Sequence, residues 1–348
     1  MNRTGKTLAC CVGVALGGCA PVLLAVEKSQ GPILAATEEN DLFSDPFSAD
    51  HTDRHYTQGL RLTYFGDADD TPRWADHVAR ALPTWGISVD ARDFGYAFGQ
   101  NMYTPEKLLT NAPVTNDRPY GGWLYLGAVL QRRGLTGNGI PVQEDFEVDL
   151  GMTGKASLAE AAQENFHRWV YGEDIPRGWH NQLANEPGLL LKYQRLWRLS
   201  VNEQTARYID FIPHAGGELG NVAIFGNLGA TLRVGCNLPQ DFGIPIIDSP
   251  ASFNGGTTPR VPPFGFYLFG GVDGRYVAHN LFLDGNSFRG GPSVERMPWV
   301  ADLICGGAIQ ITRHIELSYT RVTRTLEFAG QKNADIFGSI TAKAEFEF

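Results

Sequence analysis

The carboxyl-terminal segment ITAKAEFEF, residues 340–348, decides the expected fold. Every second residue from Ile340 to Phe348 is apolar, and the residues between them are polar or charged. A β-strand has a period of two residues, so this segment presents one apolar and one polar face. A membrane β-barrel requires that pattern, because lipid surrounds it and its lumen is polar. A last strand that closes on Phe is also typical of bacterial outer-membrane barrels. The segment therefore predicts a chain that lies in a bilayer.

The chain begins with an expected export signal. Arg3 and Lys6 precede an apolar stretch over residues 8–24, the arrangement of a signal that is removed on maturation. We expect residues 1–25 to be this signal, with cleavage after residue 25 or as late as residue 36; the stretch Leu16 to Cys19 also resembles a lipoprotein cleavage site. No later stretch of about 20 apolar residues predicts a membrane-spanning helix. Residues 36–348 are therefore expected to form one barrel domain.

Composition limits the partners that the chain can have. Charged residues make up 19% of the sequence, below the soluble average of roughly 25%. The formal net charge is −9, and loss of the first 25 residues, which carry two bases and no acid, takes it to −11. This balance argues against nucleic acid as a partner and is compatible with divalent cations. No feature indicates an obligate protein partner. After signal removal Cys236 and Cys305 remain, and the sequence leaves open whether they pair.

Alternating segments recur along the chain, most clearly from Asp145 to Met152. A soluble sandwich would cover the apolar row with a second sheet, whereas a barrel would expose it to lipid. This segment fits both, and the export signal and terminal Phe favour the barrel. We therefore predict an all-β fold, a transmembrane antiparallel up-and-down barrel of about twelve strands with a short helix in an external loop. The expected strands are 36–43, 56–66, 93–102, 120–132, 142–152, 188–200, 206–216, 227–236, 264–274, 300–312, 314–324 and 336–348.

An even strand number places both chain ends in the periplasm and assigns each connection to one side of the membrane. The periplasmic connections 67–92 and 237–263 are then longer than such turns usually are. The external connections are 44–55, 103–119, 153–187, 217–226, 275–299 and 325–335. The third of them contains a predicted helix from Ser157 to Tyr171, with Ser157 as N-cap and Glu160 at the capping-box position. Its expected apolar stripe consists of Leu158, Ala161, Ala162, Phe166 and Trp169.

This assignment gathers polar side chains at the external rim. They come from the end of the first strand, the start of the second, and the second and third external connections: Asn40, Asp41, Tyr56, Thr57, Lys107, Arg118, His167 and Glu173. A base, acids for a metal and groups for an anion make a plausible active site. Each has an ordinary alternative: His167 as an exposed helix residue, Arg118 paired with Asp117. The acids at 145, 147 and 149 are expected to line the lumen. No Gly-X-Ser-X-Gly elbow supports a serine hydrolase.

Several short motifs, in order, give the sequence a family resemblance. They are Glu39-Asn40-Asp41, Tyr56-Thr57-Gln58-Gly59-Leu60, Gly99 to Pro105, Asp117 to Trp123, Gly151, Gly154, His167, Gly178-Trp179, Gln182, Pro213-His214 and Gly220-Asn221. Together they resemble the lipid A 3′-O-deacylase family of outer-membrane proteins, and the likeness covers nearly the whole mature chain.

The resemblance implies a calcium-dependent ester hydrolase that removes the 3′-linked acyloxyacyl chain from lipid A in the bacterial outer membrane. Its site would lie between the barrel wall and the helix of an external loop, facing the outer leaflet. His167 would activate water, Asn40 and Thr57 would position the water or the ester, and Asp41 with Glu173 would bind calcium. Lys107 and Arg118, from a shorter loop, stand in place of the family's basic pair and would bind a phosphate or the oxyanion. Two alternatives remain open: a non-catalytic porin-like barrel and an outer-membrane phospholipase.

Overall fold

The computed structural model describes residues 31–44, 54–66, 71–171, 175–247 and 264–346. These residues form a closed barrel of twelve strands, each antiparallel to its neighbours, with β1 paired to β12. The expected fold class and strand number are confirmed. The strands are β1 Ile33–Asn40, β2 His55–Phe65, β3 Ile87–Thr104, β4 Gly121–Thr136, β5 Pro141–Thr153, β6 Pro187–Trp197, β7 Ile209–Gly220, β8 Ala223–Cys236, β9 Gly265–Asn280, β10 Trp299–Gln310, β11 Ile315–Arg324 and β12 Asp335–Glu345.

The two faces of each strand meet opposite surroundings. On β5, Val148 and Leu150 are exposed, whereas Glu147 and Asp149 are buried in the lumen. Glu147 accepts two hydrogen bonds from the Arg61 guanidinium, and the Lys192 ammonium lies 2.7 Å from an Asp149 carboxylate oxygen. The acids of β5 thus line the lumen as expected. The outward apolar row is exposed, and the described residues form one closed sheet with no second sheet over this row, which excludes the soluble sandwich.

The periplasmic connection after β8 is longer than a usual turn because part of it enters the barrel. Leu238, Ile244 and Ile246 are buried in one apolar cluster with lumen-facing side chains of many strands. At its far end, the backbone N–H of Ile247 donates to a Glu39 carboxylate oxygen at 2.6 Å. The segment that follows β9, the short helix Leu281–Asp284, buries Phe282 in the same cluster. Described residues therefore fill the lumen from both ends, unlike the water-filled channel of a porin.

The other long periplasmic connection contains a helix, α1, Arg73–Ala81. The next strand, β3, begins at Ile87 rather than at residue 93 as expected, because a bulge between Val89 and Ala91 interrupts its alternation. No helix in the described part of the chain is long and apolar enough to cross a membrane. Cys236 and Cys305 are not bonded to each other. Residues 1–30 lie outside the described part, so the export signal stays a prediction.

Candidate active site

A polar patch lies on the outer wall of the barrel, near the external rim. Leu62, Tyr64 and Phe98 mark the lipid-facing side of β2 and β3, since all three are exposed. The same side of neighbouring strands carries, toward the rim, three polar side chains: Glu38, Gln58 and Gln100. Gln58 Nε2 donates to Glu38 Oε1 at 2.7 Å. Polar groups on the lipid face of a barrel are unfavourable, so their concentration at one place indicates a function.

Asn40 and Asp41 lie at the upper edge of this patch, where β1 ends. Asn40 is extended, and its side-chain oxygen accepts a hydrogen bond from the Leu42 N–H at 2.8 Å, which caps a 3₁₀ turn over Asp41–Phe43. Asp41 Oδ2 accepts from the Arg54 N–H at 2.9 Å. Adjacent strand residues point to opposite faces, but this rule ends with the strand. The two side chains can therefore serve one site.

Thr57 is the extra residue of a bulge in β2, between Tyr56 and Gln58. Tyr56 faces the lumen, where its hydroxyl donates to Glu39, and Gln58 faces outward. The Thr57 hydroxyl lies 2.7 Å from the Thr104 hydroxyl of β3. A bulge re-aims one side chain without breaking the ladder, and here it buries a hydroxyl pair beside the polar patch.

The external helix, α2, lies directly against the wall beside this patch. It spans Ala159–Phe166 and contacts β3 and β4. A Cβ at Gly122 would lie 2.2 Å from Ser157 Oγ and 2.4 Å from the Ala159 methyl group, so a glycine is needed for this approach. Gln100 Nε2 of the patch donates to the Ser157 carbonyl oxygen at 2.6 Å. Gly122, which belongs to the motif Asp117 to Trp123, therefore allows this helix to pack against the wall.

Two further hydrogen bonds hold α2 to the segment that follows it. The Trp179 indole N–H donates to Gln163 Oε1 at 2.7 Å, and Gln182 Nε2 donates to Glu160 Oε2 at 3.0 Å. Ala159 and Trp179 pack with Met102 and Tyr120 of the wall. Four of the resemblance motifs thus act together to fix one helix in place.

The predicted capping of this helix is wrong, and so is its predicted apolar stripe at Leu158, Ala161 and Trp169, whereas Ala162 packs against the wall cluster. The N-cap is Leu158, in the left-handed conformation with φ 60°, and no side chain caps the helix. Ser157 Oγ instead donates to the Gly154 carbonyl oxygen at 2.6 Å. Leu158 and Trp169, expected to be buried, are 56% and 84% exposed, because the helix meets the wall through the small Ala159 and through Gln163. Its large apolar side chains therefore remain available to lipid.

His167 begins a π-helical turn, His167–Tyr171, directly after α2. Its side chain is buried, so the alternative of an exposed helix histidine is excluded. π-Helical turns occur frequently at functional sites. Glu173, the predicted partner of His167, lies outside the described residues. Within the described part of the chain, no three His, Cys, Asp or Glu side chains are grouped so that they could hold a metal.

Arg118 is not brought together with the other predicted residues. It is fully buried, and its two terminal nitrogens donate to the Glu327 carboxylate at 2.9 and 3.2 Å. Its guanidinium lies 4.8 Å from the ring centroid of Tyr103, which faces the lumen, whereas Thr104 faces outward. The barrel wall thus separates Arg118 from Thr57. Lys107 is exposed at the external rim.

The ion pair of Arg118 fixes the charge state of its partner. Burial alone would raise the pKa of the Glu327 carboxyl, but Arg118, Arg324 and Arg275 outweigh burial and lower this pKa to about 2. A carboxyl whose pKa is lowered in the folded state stabilises that state above its ordinary pKa, and the contribution disappears as the pH falls through the folded value. This stabilisation is therefore present at neutral pH and is lost between about pH 4.5 and pH 2.

Sequence reasoning missed a basic residue beside Lys107. The backbone N–H of Arg177 donates to the Leu108 carbonyl oxygen at 2.8 Å, which places Arg177 next to Lys107 in space. Both side chains are exposed. The two residues lie 70 positions apart in the sequence, so their proximity could not be predicted from it. It follows from the course of the third external connection. The chain thus has two adjacent exposed bases at the rim, without Arg118.

Sequence reasoning also missed His55, which links three parts of the rim. Its Nδ1 lies 2.7 Å from Asp335 of β12, and its Nε2 lies 3.1 Å from Asp117 of the second external connection. Burial alone would raise the pKa of the Asp117 carboxyl, but hydrogen bonds from His55 and from two backbone N–H groups leave this pKa below its usual value. Arg54, the residue before His55, donates its backbone N–H to Asp41. The contacts of His55 with Asp335 and Asp117 therefore help to position the end of β1.

These features define an outer-membrane β-barrel with a filled lumen and a polar site on its lipid-facing wall. A family model described as outer membrane protein LpxR matches residues 8–346. The chain belongs to this family, the lipid A 3′-O-deacylase family that its motifs resemble, and is a multi-pass protein of the bacterial outer membrane.

One solved structure has the same fold. The structure of LpxR from Salmonella typhimurium is 20% identical, with a TM-score of 0.71, and the match covers 90% of this chain and all of that one. The β domain of the Bordetella autotransporter BrkA is 10% identical, with a TM-score of 0.42 and coverage of 91% and 99%. Comparison with curated proteins gave no match.

The structure predicts a structural role for Arg118. Replacing it by Met (Arg118→Met) leaves the Glu327 carboxylate buried without its main partner, which typically costs about 3–5 kcal/mol of folding free energy. Lys107→Met, at the exposed base, is the matched control and leaves stability unchanged. The measurement is the temperature at which the folded barrel converts to the unfolded form in gel electrophoresis. Equal transition temperatures for both variants would contradict the buried pair.

Proposed function

We propose that this protein is a calcium-dependent esterase that removes the 3′-linked acyloxyacyl chain from lipid A in the outer leaflet. The observation that carries this proposal is the polar patch on the lipid-facing wall, next to the helix α2 and the buried histidine that follows it. A lipid substrate cannot enter the filled lumen, but it can reach the outer wall by diffusion in the leaflet. Membership of the LpxR family supports the same reaction class.

In this proposal His167 is the general base. Imidazole is the side chain most often used to accept a proton from water at neutral pH. The activated water attacks the ester carbonyl carbon, and the acyloxyacyl group leaves as a carboxylic acid while the sugar hydroxyl is regenerated. Asn40 and Thr57 orient the water and the carbonyl group from the rim of the patch. Thr104 holds the Thr57 hydroxyl at 2.7 Å and so fixes its direction.

The side chains at the outer ends of β1 and β2 suit calcium in their chemistry. Asn40, Asp41, Thr57 and Glu38 present only oxygen donors, which calcium prefers. Asp41 together with Glu173 would hold the ion. Bound calcium would polarise the ester carbonyl group and stabilise negative charge on its oxygen. The Arg54 N–H, by binding one carboxylate oxygen of Asp41, keeps that side chain in position before any ion binds.

Lipid A is recognised on two sides of this site. Lys107 and Arg177, adjacent and exposed at the rim, bind a phosphate of the sugar headgroup through charge-assisted hydrogen bonds. Leu158 and Trp169 extend the apolar surface outward from α2 and contact acyl chains. Lipid A has a phosphorylated sugar above its acyl chains. The basic pair and the apolar side chains match these two parts of the proposed substrate. Glu38 and Gln58, between the two, contact the polar sugar ring.

His167→Ala tests the base directly. Loss of a general base lowers the rate by about 10²–10⁴-fold, so cells that produce the variant should retain the full set of lipid A acyl chains. His180→Ala is the matched control, because His180 is an exposed histidine of the same external connection. Mass spectrometry of lipid A from a host that lacks such an enzyme gives the answer. Full 3′-deacylation by His167→Ala would refute the assignment.

A second experiment, with purified protein, separates lipid A from other lipids. Purified protein with calcium is offered lipid A and glycerophospholipids in the same mixed micelles, and the released fatty acids are analysed. Release of the 3′-linked chain alone supports the proposal, whereas release from glycerophospholipids would identify a phospholipase. No release from either lipid would support a barrel without catalytic activity.

The basic pair determines substrate binding. Lys107→Ala and Arg177→Ala should each raise the KM for lipid A by about 10- to 150-fold, because a hydrogen bond to a charged group contributes roughly 1.5–3 kcal/mol, with kcat unchanged. Arg313→Ala, at an exposed base on the periplasmic side, is the control. Lipid A without phosphates should show no difference between the variants and the unchanged protein. A lower kcat at constant KM would place these bases in the chemical step instead.

A further inference from the structure

The periplasmic helix α1 lies on the outer wall of the barrel. Ala75 and Ala79 are buried against the wall, 1% and 2% exposed. The Trp74 ring meets the Phe94 ring edge-on, with 5.0 Å between their centroids. Phe94 lies on the lipid-facing side of β3, two residues before the exposed Tyr96. The helix therefore covers a part of the wall that would otherwise contact the periplasmic leaflet.

A buried arginine fastens this helix at its carboxyl end. The Arg132 guanidinium donates to the carbonyl oxygens of Ala79, Leu82 and Pro83, at 2.8 to 3.2 Å. It also donates to Glu144 of β5 at 2.6 Å. A cation at the carboxyl end of a helix satisfies its last carbonyl groups. An arginine on the lipid-facing side of β4 is thus explained by the helix that it holds.

Helix α1 presents two exposed faces of opposite character. At 100° per residue, Trp74 and Val78 share one face, and Arg73, His77 and Arg80 share another. Trp74 and Val78 are 58% and 48% exposed although they are large and apolar. Arg80 pairs with Asp76 at 2.8 Å, so this polar face carries both signs of charge, with more bases than acids. A polar face with exposed arginines combined with a Trp-bearing apolar face is typical of helices that lie in a membrane interface.

Beside the apolar face runs a groove of about 540 Å³. Trp74, Val78 and Leu82 line it on the helix side. On the wall side it is lined by apolar side chains of β4 to β7, including the exposed Val148, Leu191 and Leu219. The volume lies in the range of roughly 300–1,000 Å³ that holds small molecules. The groove opens on the wall that the membrane lipid surrounds.

We propose that this groove binds one acyl chain of a phospholipid of the periplasmic leaflet, with α1 at the interface. Two observations support this occupant: the groove is continuous with the lipid-facing wall, and the polar face of the helix carries Arg73, whose charge suits a phosphate headgroup, beside the Arg80–Asp76 pair. The site is separate from the polar patch, which lies at the other end of the barrel. The proposal stands whether or not the proposed enzymatic function is correct.

Fluorescence quenching tests the groove. An environment-sensitive fluorescent amino acid replaces Val78 or, as the matched control, His77 on the polar face. The full-length barrel is placed in vesicles of phosphatidylethanolamine and phosphatidylglycerol whose acyl chains carry bromine. We expect the brominated chains to quench the emission at position 78, and aqueous iodide to leave it unchanged. At position 77 we expect iodide to quench the emission and the brominated chains to leave it unchanged. Equal exposure of both positions to iodide would overturn the proposal.

Retention of lipid separates a bound chain from simple membrane contact. Phospholipid that stays with the protein after transfer into detergent is measured by native mass spectrometry. The unchanged protein should retain phospholipid, and Val78→Asp should lose it while His77→Asp keeps it. Should position 78 be shielded from iodide and yet not quenched by bromine, protein covers the groove and the proposal fails. Trp74→Phe is a milder variant, for which the tryptophan fluorescence is measured in the same brominated vesicles. Weaker quenching of this fluorescence than in the unchanged protein supports the site, and equal quenching contradicts it.

Discussion

The direct contact of α2 with Gly122 is the interaction on which the external site depends. A side chain at this position would push the helix off the wall by overlap with Ser157 and Ala159. The contact sets the height of the helix, and through it the position of the π-helical turn that begins at His167. The hydrogen bonds from Gln100 and Trp179 then fix the rotation of the helix. A substrate that binds between the barrel wall and the helix needs both surfaces, because neither of them encloses it alone.

The inside and the outside of this barrel have different tasks. Inside, paired charges and the inserted segment around Ile244 fill the lumen and stabilise the cylinder. Arg118 belongs to this interior, where its pairing with Glu327 ties the second external connection to the last one. Outside, two groups of polar side chains lie next to a helix: Gln100 of the external patch beside α2, and the Arg132–Glu144 pair under α1. At both places a polar side chain of the outer wall hydrogen-bonds to the backbone of the segment that contains the helix.

The sequence predicted the twelve strands because period-two alternation is a local property of the chain. It placed the start of β3 six residues too late, since the bulge at Val89 shifts the alternation by one residue. It placed the end of the first strand at residue 43, whereas β1 ends at Asn40, so Asn40 and Asp41 are not held to opposite faces of a strand. The side of the wall on which Arg118 lies was not predictable, because it depends on the course of a loop. Neither was the insertion of residues 238–247, which follows from tertiary packing. One signal was available: Arg132 and Glu144 fall on the lipid-facing side of their strands, which indicates a covering segment.

The central claim is that lipid A is bound and cleaved on the outer wall, between the end of β1, the bulge of β2 and α2. The most direct measurement is an experimental structure of the His167→Ala protein with calcium and intact lipid A. The account predicts the oxygen of the 3′ ester carbonyl group within about 3.2 Å of a side-chain donor of Asn40 or Thr57, with the headgroup phosphate near Lys107 and Arg177. An ester group bound in the lumen, or on a part of the wall away from α2, would contradict it.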